Sequence, residues 1–518
     1  METTPCPGLR PADPRKAVTT EHIRASEING VSLGLPLTLL MENAGRSIAD
    51  FIECRLGHLK GRTIHIFAGK GGNGGDGLVA ARHLSLRGAN VVVHLSHVPE
   101  QIVHSDTRLN LEVLKSMERV KIIRPHNKGW LEVSEADAVI DALLGIGVKG
   151  ELRPPISLMT EAYNEAPGLR ISIDTPTGLD PDTGYAASNS ARSDATITMG
   201  HEKQGFFAEN ASFYTGEVYV AEIGLMKEAE YYAGPGDVLI RIPRRPRNAH
   251  KGMGGRVLIV AGSKYFVGAP VLSAYSAART GADLVFLSSP SRVAYTAASE
   301  CSTVVPRPFK AENLGYQDVE EILGYVEKAH ATVIGPGLGL DEDTIIAVES
   351  LLERMHGKPI VIDADAVKVV AKRGLKLWKE AVLTPHRGEA ELLLGEKIND
   401  AESAAKRIAE KYNATVIIKG PIDVACDPEG YCRANKSGVP ALAVGGTGDL
   451  LAGSIAAILA RRTALNKDPS PVDSAVTAAY IIGKAGELAY GDKRESMTAY
   501  DVLDYIHKVF IEAELHSE

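Results

Sequence analysis

The chain has 518 residues, more than one hydrophobic core serves, so two domains or more are expected. Hydrophobic residues make up 44% and charged residues 24%, an ordinary globular balance, and no apolar run approaches the roughly 18 residues that span a bilayer, so no membrane partner is expected. A formal net charge of -8 has the wrong sign for an electrostatic nucleic-acid binder.

Residues 1–18 are Pro-rich without the apolar core of a signal peptide and read as a disordered leader. The stretch HIRASEINGVSLGLPLTLLMENAGRSIADFIECRLG follows, with the spacing of one or two amphipathic helices packed on a sheet. RTIHIFAG, ANVVVHL, ADAVIDALLG, LRISIDTPTG and SDATITM each pair a short apolar strand with turn residues. Helical stretches such as GDGLVAARHLSLRGA lie between them, so the first half predicts a mostly parallel, doubly wound α/β sheet. Density in Pro, Gly and Arg after Leu225 marks a boundary, with a linker expected over 227–240. A second doubly wound parallel sheet follows from GRVLIVAGS, ADLVFLSSP, ATVIGPGLG, KPIVIDADA, AVLTPHRGE and ATVIIKG. Ligands of such sheets sit beyond the carboxyl ends of the strands, which makes the residues ending each run the candidates for a site. Five cysteines (Cys6, Cys54, Cys301, Cys426 and Cys432) are scattered, with no C-x-x-C, so neither a disulfide framework nor a thiolate zinc site is expected, and a reducing cytoplasm fits.

FAGKGGNGGDG, residues 67 to 77, follows a strand and opens a helix, and Gly72, Gly74 and Gly77 spell G-x-G-x-x-G. The next strand ends in Ser96 and His97, where a dinucleotide fold of the hydride-transferring kind carries an acid for the ribose. Two readings stand for this segment: a tight turn with Asp76 capping the helix, or bare amides receiving an anionic phosphate at a helix N-terminus. DALLGIGVKGEL places Asp141 at one strand end and SIDTPTGLD places Asp174 and Thr177 at another, each a turn residue or, with Asn73, part of an oxygen-rich cluster.

GKGGNGGDG, then D-x-L-x-G-x-G-x-K-G, then SIDTPTGLD together resemble the NAD(P)HX epimerase domain over residues 19–226. Gly72 stands where that family usually has the first of two asparagines. The resemblance implies that Gly72, Asn73, Gly74, Gly75 and Asp76, with Gly145, Ile146, Gly147, Val148, Lys149, Gly150 and Glu151, bind the dinucleotide phosphates. It also implies that Asn73, Asp141 and Thr177 hold potassium, for which oxygen ligands are apt, and that Asp174 is catalytic and faces the hydrated ring.

VGGTGDLLAGSIAAILA, residues 444 to 460, brings Gly445, Gly446, Thr447 and Gly448 to the start of a long helix beside Asp449. That is either a capped glycine turn or bare amides and a helix dipole waiting for negative charge beside a carboxylate. TPHRGE at 384 to 389, GPGLG at 335 to 339 and IKGPID at 418 to 423 converge on the same sheet edge. With HKGMGG these elements are similar to the ribokinase-like superfamily, in its ADP- or ATP-dependent NAD(P)HX dehydratase branch, over residues 241–518. No Walker A sequence is present. The resemblance implies ADP, with ATP as the other candidate, bound by Lys419, Gly420, Pro421, Ile422 and Asp423 and by Val439, Pro440, Ala441, Leu442, Ala443, Val444 and Gly445 to Gly448, together with magnesium. Asp423 stands where that branch often has Thr. Ala269, Gly337, His386 and Asp449 would face the substrate, with Asp449 taking the proton of a ring hydroxyl as it attacks the terminal phosphoryl group.

Both domains in one chain resemble the bifunctional NAD(P)HX repair family. NADHX, NADPHX and the nucleotide are then the expected small-molecule partners, and a second copy of the chain the expected macromolecular one. A ribokinase-like small-molecule kinase and a non-catalytic nucleotide-sensing scaffold are the alternatives; TPHRGE and HKGMGG speak against the first, and Asp141, Asp174 and Asn73 against the second.

Overall fold

A computed structural model describes residues 6–125, 130–147 and 150–516. The chain divides between Met226 and Lys227 into two compact units. The first holds β1 (Leu9–Pro11), β2 (Thr63–Ala68), β3 (Asn90–Leu95), β4 (Val120–Ile123), β5 (Ala138–Ala142), β6 (Leu169–Ile173), β7 (Ala195–Met199) and β8 (Glu217–Ala221). They form one sheet in the order β1-β8-β7-β6-β5-β2-β3-β4, parallel except for β1, which pairs antiparallel with β8. Alternation along the strands sends side chains to two faces. Ile64, Ile66, Val91, Val93 and Ile140 pack with the helices Leu37–Leu56, Gly72–Leu86 and Ser105–Leu114, whereas Phe67 and Val139 pack with Met159 and Tyr163 of the helix Ile156–Glu165.

The second unit holds β9 (Arg256–Val260), β10 (Leu284–Ser288), β11 (Val304–Pro306), β12 (Ala331–Ile334), β13 (Ile360–Ile362), β14 (Ala381–Leu383), β15 (Thr415–Ile418), β16 (Asp423–Cys426) and β17 (Cys432–Asn435). Their order is β11-β10-β9-β12-β13-β14-β15-β16-β17, parallel up to β15 and antiparallel beyond it. Val257 and Ile259 belong to one core with the helices Gly268–Thr280, Thr447–Ala464 and Pro471–Lys493; Leu258 and Val260 belong to the other, with Glu342–Arg354, Asp365–Arg373 and Ala401–Tyr412. Both units are thus doubly wound α/β sheets, as the sequence pattern implies.

Three expectations are corrected. The expected linker over 227–240 contains the helices Lys227–Tyr231 and Pro235–Arg241, with Ala229, Asp237 and Val238 buried, and Asp237 is ion-paired to the buried Arg433. Gly234 and Pro235 begin a helix there, since Pro suits a first turn that has no N–H to lose. The expected disordered leader is ordered from Cys6, because Leu9–Pro11 add an edge strand to β8. Disulfides exist as well: Cys6 is bonded to Cys54 and Cys426 to Cys432, leaving Cys301 free. Linear spacing hides both, since one joins the segment before the edge strand to a helix and the other closes a hairpin. Among the described residues no helix is long and apolar enough to cross a membrane.

Candidate functional site

In the first unit the strand order reverses between β2 and β5, whose ends Ala68 and Ala142 are register partners. Crevices at such a reversal bind ligands. A cavity of about 960 Å³ opens there, lined by both loops that follow these strands. Close approach makes glycine obligatory at two positions: a Cβ on Gly69 would stand 1.8 Å from the Leu143 carbonyl oxygen, and one on Gly74 2.0 Å from that of Gly69.

The three oxygen-bearing residues expected together are brought together. Asn73 Nδ2 donates to the Leu144 carbonyl at 3.0 Å, Leu144 N donates to Thr177 Oγ1 at 3.1 Å, and Thr177 Oγ1 donates to Asp141 at 2.7 Å. Asp141, fully buried, also accepts from Thr177 N, Leu143 N and Ser172 Oγ; burial raises its pKa and these donors oppose the rise. Asn73 Oδ1 is buried with no hydrogen-bond partner. A cation that prefers neutral and singly charged oxygens fits an orphaned amide oxygen of this kind.

Asp174 follows β6 with φ at 64°, in the left-handed region that costs a non-glycine residue energy, and it too lines the cavity. Its Oδ1 accepts from Lys203 Nζ at 2.7 Å and from Met199 N at 3.2 Å. Lys203, fully buried, carries no motif in the sequence and was not anticipated; the only signal is a lysine following a strand end in HEKQGF. Glu27, also not anticipated, lines the same cavity, as does Asp76. Burial, then the nearby charge of Asp174, pushes Glu27 up to about 7, and the same two causes hold Asp76 well above the carboxylate range. Asp76 is not a cap: the helix Gly72–Leu86 has Gly71 at its N-cap, and Asp76 lies a turn inside it. Gly145, Ile146, Gly147, Gly150 and Glu151 line the cavity, with the Glu151 carboxylate accepting from Ser188 Oγ at 2.8 Å; Val148 and Lys149 lie outside the described residues.

In the second unit the order reverses between β9 and β12. Gly337, after β12, has φ at 63° and lies against Phe266 and Ala269, where a Cβ would be 2.7 Å and 3.5 Å from theirs. The helix Thr447–Ala464 starts from Gly446 with no side-chain cap, and Asp449 sits half-buried in its first turn, so the capped-turn reading of Asp449 falls away. Burial first, then the charge of Asp363, push Asp449 up to about 7, against the pull of Lys419. Lys419 Nζ binds Asp363 at 2.9 Å, and Asp363 also accepts from Thr384 Oγ1 at 2.6 Å. Asp363 was missed, although KPIVIDADA ends a buried strand on acids.

His386 is itself a helix cap: its Nδ1 accepts from Gly388 N at 3.0 Å and Glu389 N at 3.3 Å, and Nε2 of the exposed ring lies 3.5 Å from the Glu389 carboxylate. Asp423 accepts from Gly420 N and Asn435 Nδ2, both at 3.0 Å, tying the IKGP turn to β17. Pro421, Ile422, Ala443, Val444 and Gly445 are exposed beside these turns; Pro440–Leu442 form a short 3-10 turn after the extended Val439, and Thr447 Oγ1 donates back to the Leu442 and Val444 carbonyls. A carboxyl near neutrality beside bare amides at a helix N-terminus can take a proton while the amides receive negative charge.

A family model for the NAD(P)H-hydrate dehydratase matches residues 257–508, and one for the YjeF-related protein N-terminus matches residues 37–205. Bifunctional NAD(P)H-hydrate repair enzymes are similar along nearly the whole chain. The one from Hyperthermus butylicus is 40% identical over 95% of this chain and 91% of its own length; that from Methanothermobacter thermautotrophicus is 37% identical over 97% of each. An ADP/ATP-dependent NAD(P)H-hydrate dehydratase from Bacillus subtilis, co-crystallised with ATP and Mg2+, is 24% identical, covering 55% of this chain and 98% of its own, with a TM-score of 0.45.

Proposed function

The chain belongs to the bifunctional NAD(P)H-hydrate repair enzymes, and from that premise we propose how its two sites divide the work. The first unit epimerises the hydrated reduced cofactor, and the second dehydrates it at the expense of a nucleotide. The two belong together chemically: water adds to the ring double bond from either face, and a dehydratase that reads one hand needs the other converted. Reduced nicotinamide cofactors suit a cytoplasmic site of action.

In the first unit, Gly72 to Asp76 and Gly145 to Glu151 cradle the phosphates, and Asp174 meets the ring. Potassium would be held by Asn73, Asp141 and Thr177, where it supplies fixed positive charge next to the phosphate loop; the orphaned Asn73 Oδ1 is the observation that supports it. In the second unit, Lys419 to Asp423 and Val439 to Gly448 surround ADP, which brings magnesium with its phosphates. Asp449 accepts the proton of the ring hydroxyl as that oxygen attacks the terminal phosphoryl group and AMP departs, with the Gly446 to Gly448 amides receiving the charge; the C–O bond to phosphate then breaks as the ring nitrogen forms C=N+, and the neighbouring ring carbon gives up its proton to water as the double bond returns. The observation that carries this reading is the proton affinity of Asp449, set near neutrality at the open end of a helix.

The test is an account of phosphate. ADP and the S epimer should give AMP, free phosphate and reduced cofactor in equal amounts. A phosphorylated hydrate accumulating without free phosphate would instead identify the second unit as a kinase.

A further inference from the structure

Epimerisation needs a group that gives a proton to the departing hydroxyl, and the residues assigned so far include none. We propose that Glu27 is that proton donor, acting with Asp174 as two carboxyl groups that hold one proton between them; the proposal rests on reading the first unit as an epimerase.

Glu27 and Asp174 reach the same cavity from separate elements, the helix Thr20–Ser32 and the end of β6. Their surroundings differ. Asp174 has two donors on one oxygen, the fully buried Lys203 ammonium and the Met199 amide, which is what an accepting carboxylate requires. Glu27 shares its part of the cavity wall with Ile23, Leu40, Met41 and Ala44, and among the described residues none holds its carboxyl by a hydrogen bond. The charged groups that face it are Asp174, Lys203, Arg24 and His201, and Asp76 stands near enough to feel its charge. A carboxyl among apolar side chains without a donor keeps its proton to higher pH, here to about 7. Asp76 also has its pKa raised by burial, but it lies in the glycine turn assigned to the phosphates, whereas Glu27 shares its stretch of cavity wall with apolar side chains, and an acid poised near the working pH transfers its proton best.

Water added to an enamine double bond places the hydroxyl on the carbon bonded to the ring nitrogen. The Glu27 proton passes to that hydroxyl, the C–O bond breaks, the nitrogen lone pair forms C=N+, and water departs. A water molecule then adds to the opposite face, a C–O bond forms, the C=N+ electrons return to nitrogen, and the released proton goes to Asp174. One proton has moved from Glu27 to Asp174 and returns through cavity water; the other epimer runs the same steps with the roles exchanged.

The experiment uses the full chain without nucleotide, starting from one purified NADHX epimer and following the other by chromatography above the uncatalysed rate. A parent protein that does not accelerate the interconversion refutes the epimerase reading itself. Given an active parent, its kcat should fall as pH rises through about 7, where the shared proton is lost. Glu27→Gln should lose on the order of 100-fold in kcat, with KM little changed, and the residual rate should lack that fall. Glu27→Asp should keep the fall at a shifted pH, and it carries the test should the Gln variant not fold. Parental kcat with a parental pH profile in the Gln variant, or an unmoved profile in the Asp variant, would overturn the role of Glu27.

Discussion

Asp174 lines the cavity of the first unit with the Lys203 ammonium on it at 2.7 Å, whereas Asp449 lies in the first turn of its helix, and the Lys419 ammonium that pulls on it is bonded to Asp363. Asp449 has to be ionised to act as a base. Its proton affinity near 7 therefore predicts a dehydration rate that rises with pH through that value and levels off above it. Asp449→Asn should lower nucleotide-dependent dehydration by roughly 100- to 10,000-fold, read as reduced cofactor formed. The same group bears on stability. A carboxyl whose pKa rises from 3.8 unfolded to about 7 folded binds its proton more tightly in the folded state, so it costs stability progressively between those values and fully above them. At mildly alkaline pH the Asn variant should unfold at a higher temperature than the parent, with the gap closing as pH falls toward 3.8; a gap that does not depend on pH would contradict the burial of the charge. Asp423 accepts from Gly420 and Asn435, so Asp423→Ala should loosen the IKGP turn and raise KM for the nucleotide more than it lowers kcat.

Among the elements, β16 and β17 are tied to each other by Cys426–Cys432, and the segment just before β1 is tied to a helix through Cys6. The bond from Cys6 to the helix Leu37–Leu56 closes a loop of 48 residues, and loop-closure entropy sets its worth at up to about 4 kcal/mol. Cys54→Ser should lower the urea midpoint of the first unit accordingly while the second unit keeps its own. The elements legible in the sequence were those with short apolar runs ending in turn or polar residues: β2, β3, β5, β6 and β7, and in the second half β9, β10, β12, β13, β14 and β15. β1, β4, β8, β11, β16 and β17 were not singled out, because LRP, VKII, EVYVA, VVP, DVAC and CRAN are short or mix in charge, and their strand character comes from pairing with a neighbour. Within the sites, the glycine loops and the strand-end acids were legible from residue type and position. Lys203 and Glu27 were not, since what distinguishes them is burial beside another charge, and burial belongs to the fold; Asp363 stands at a strand end but was passed over.

At the scale of the whole molecule, each activity lies in its own compact unit with its own sheet and core. Asp174→Asn should therefore stop epimerisation and leave dehydration of the accepted epimer untouched, and Asp449→Asn should do the reverse. The central claim is that one chain carries both steps of the repair. It is tested most directly by giving the parent and its Asp174→Asn variant the mixed epimers of NADHX with ADP, potassium and magnesium, and following reduced cofactor by its absorbance. The parent should convert the whole mixture, and the variant should stop once the accepted epimer is consumed, creeping on at the uncatalysed rate of interconversion. Complete conversion by both proteins at the same rate, or none by either, would contradict the account.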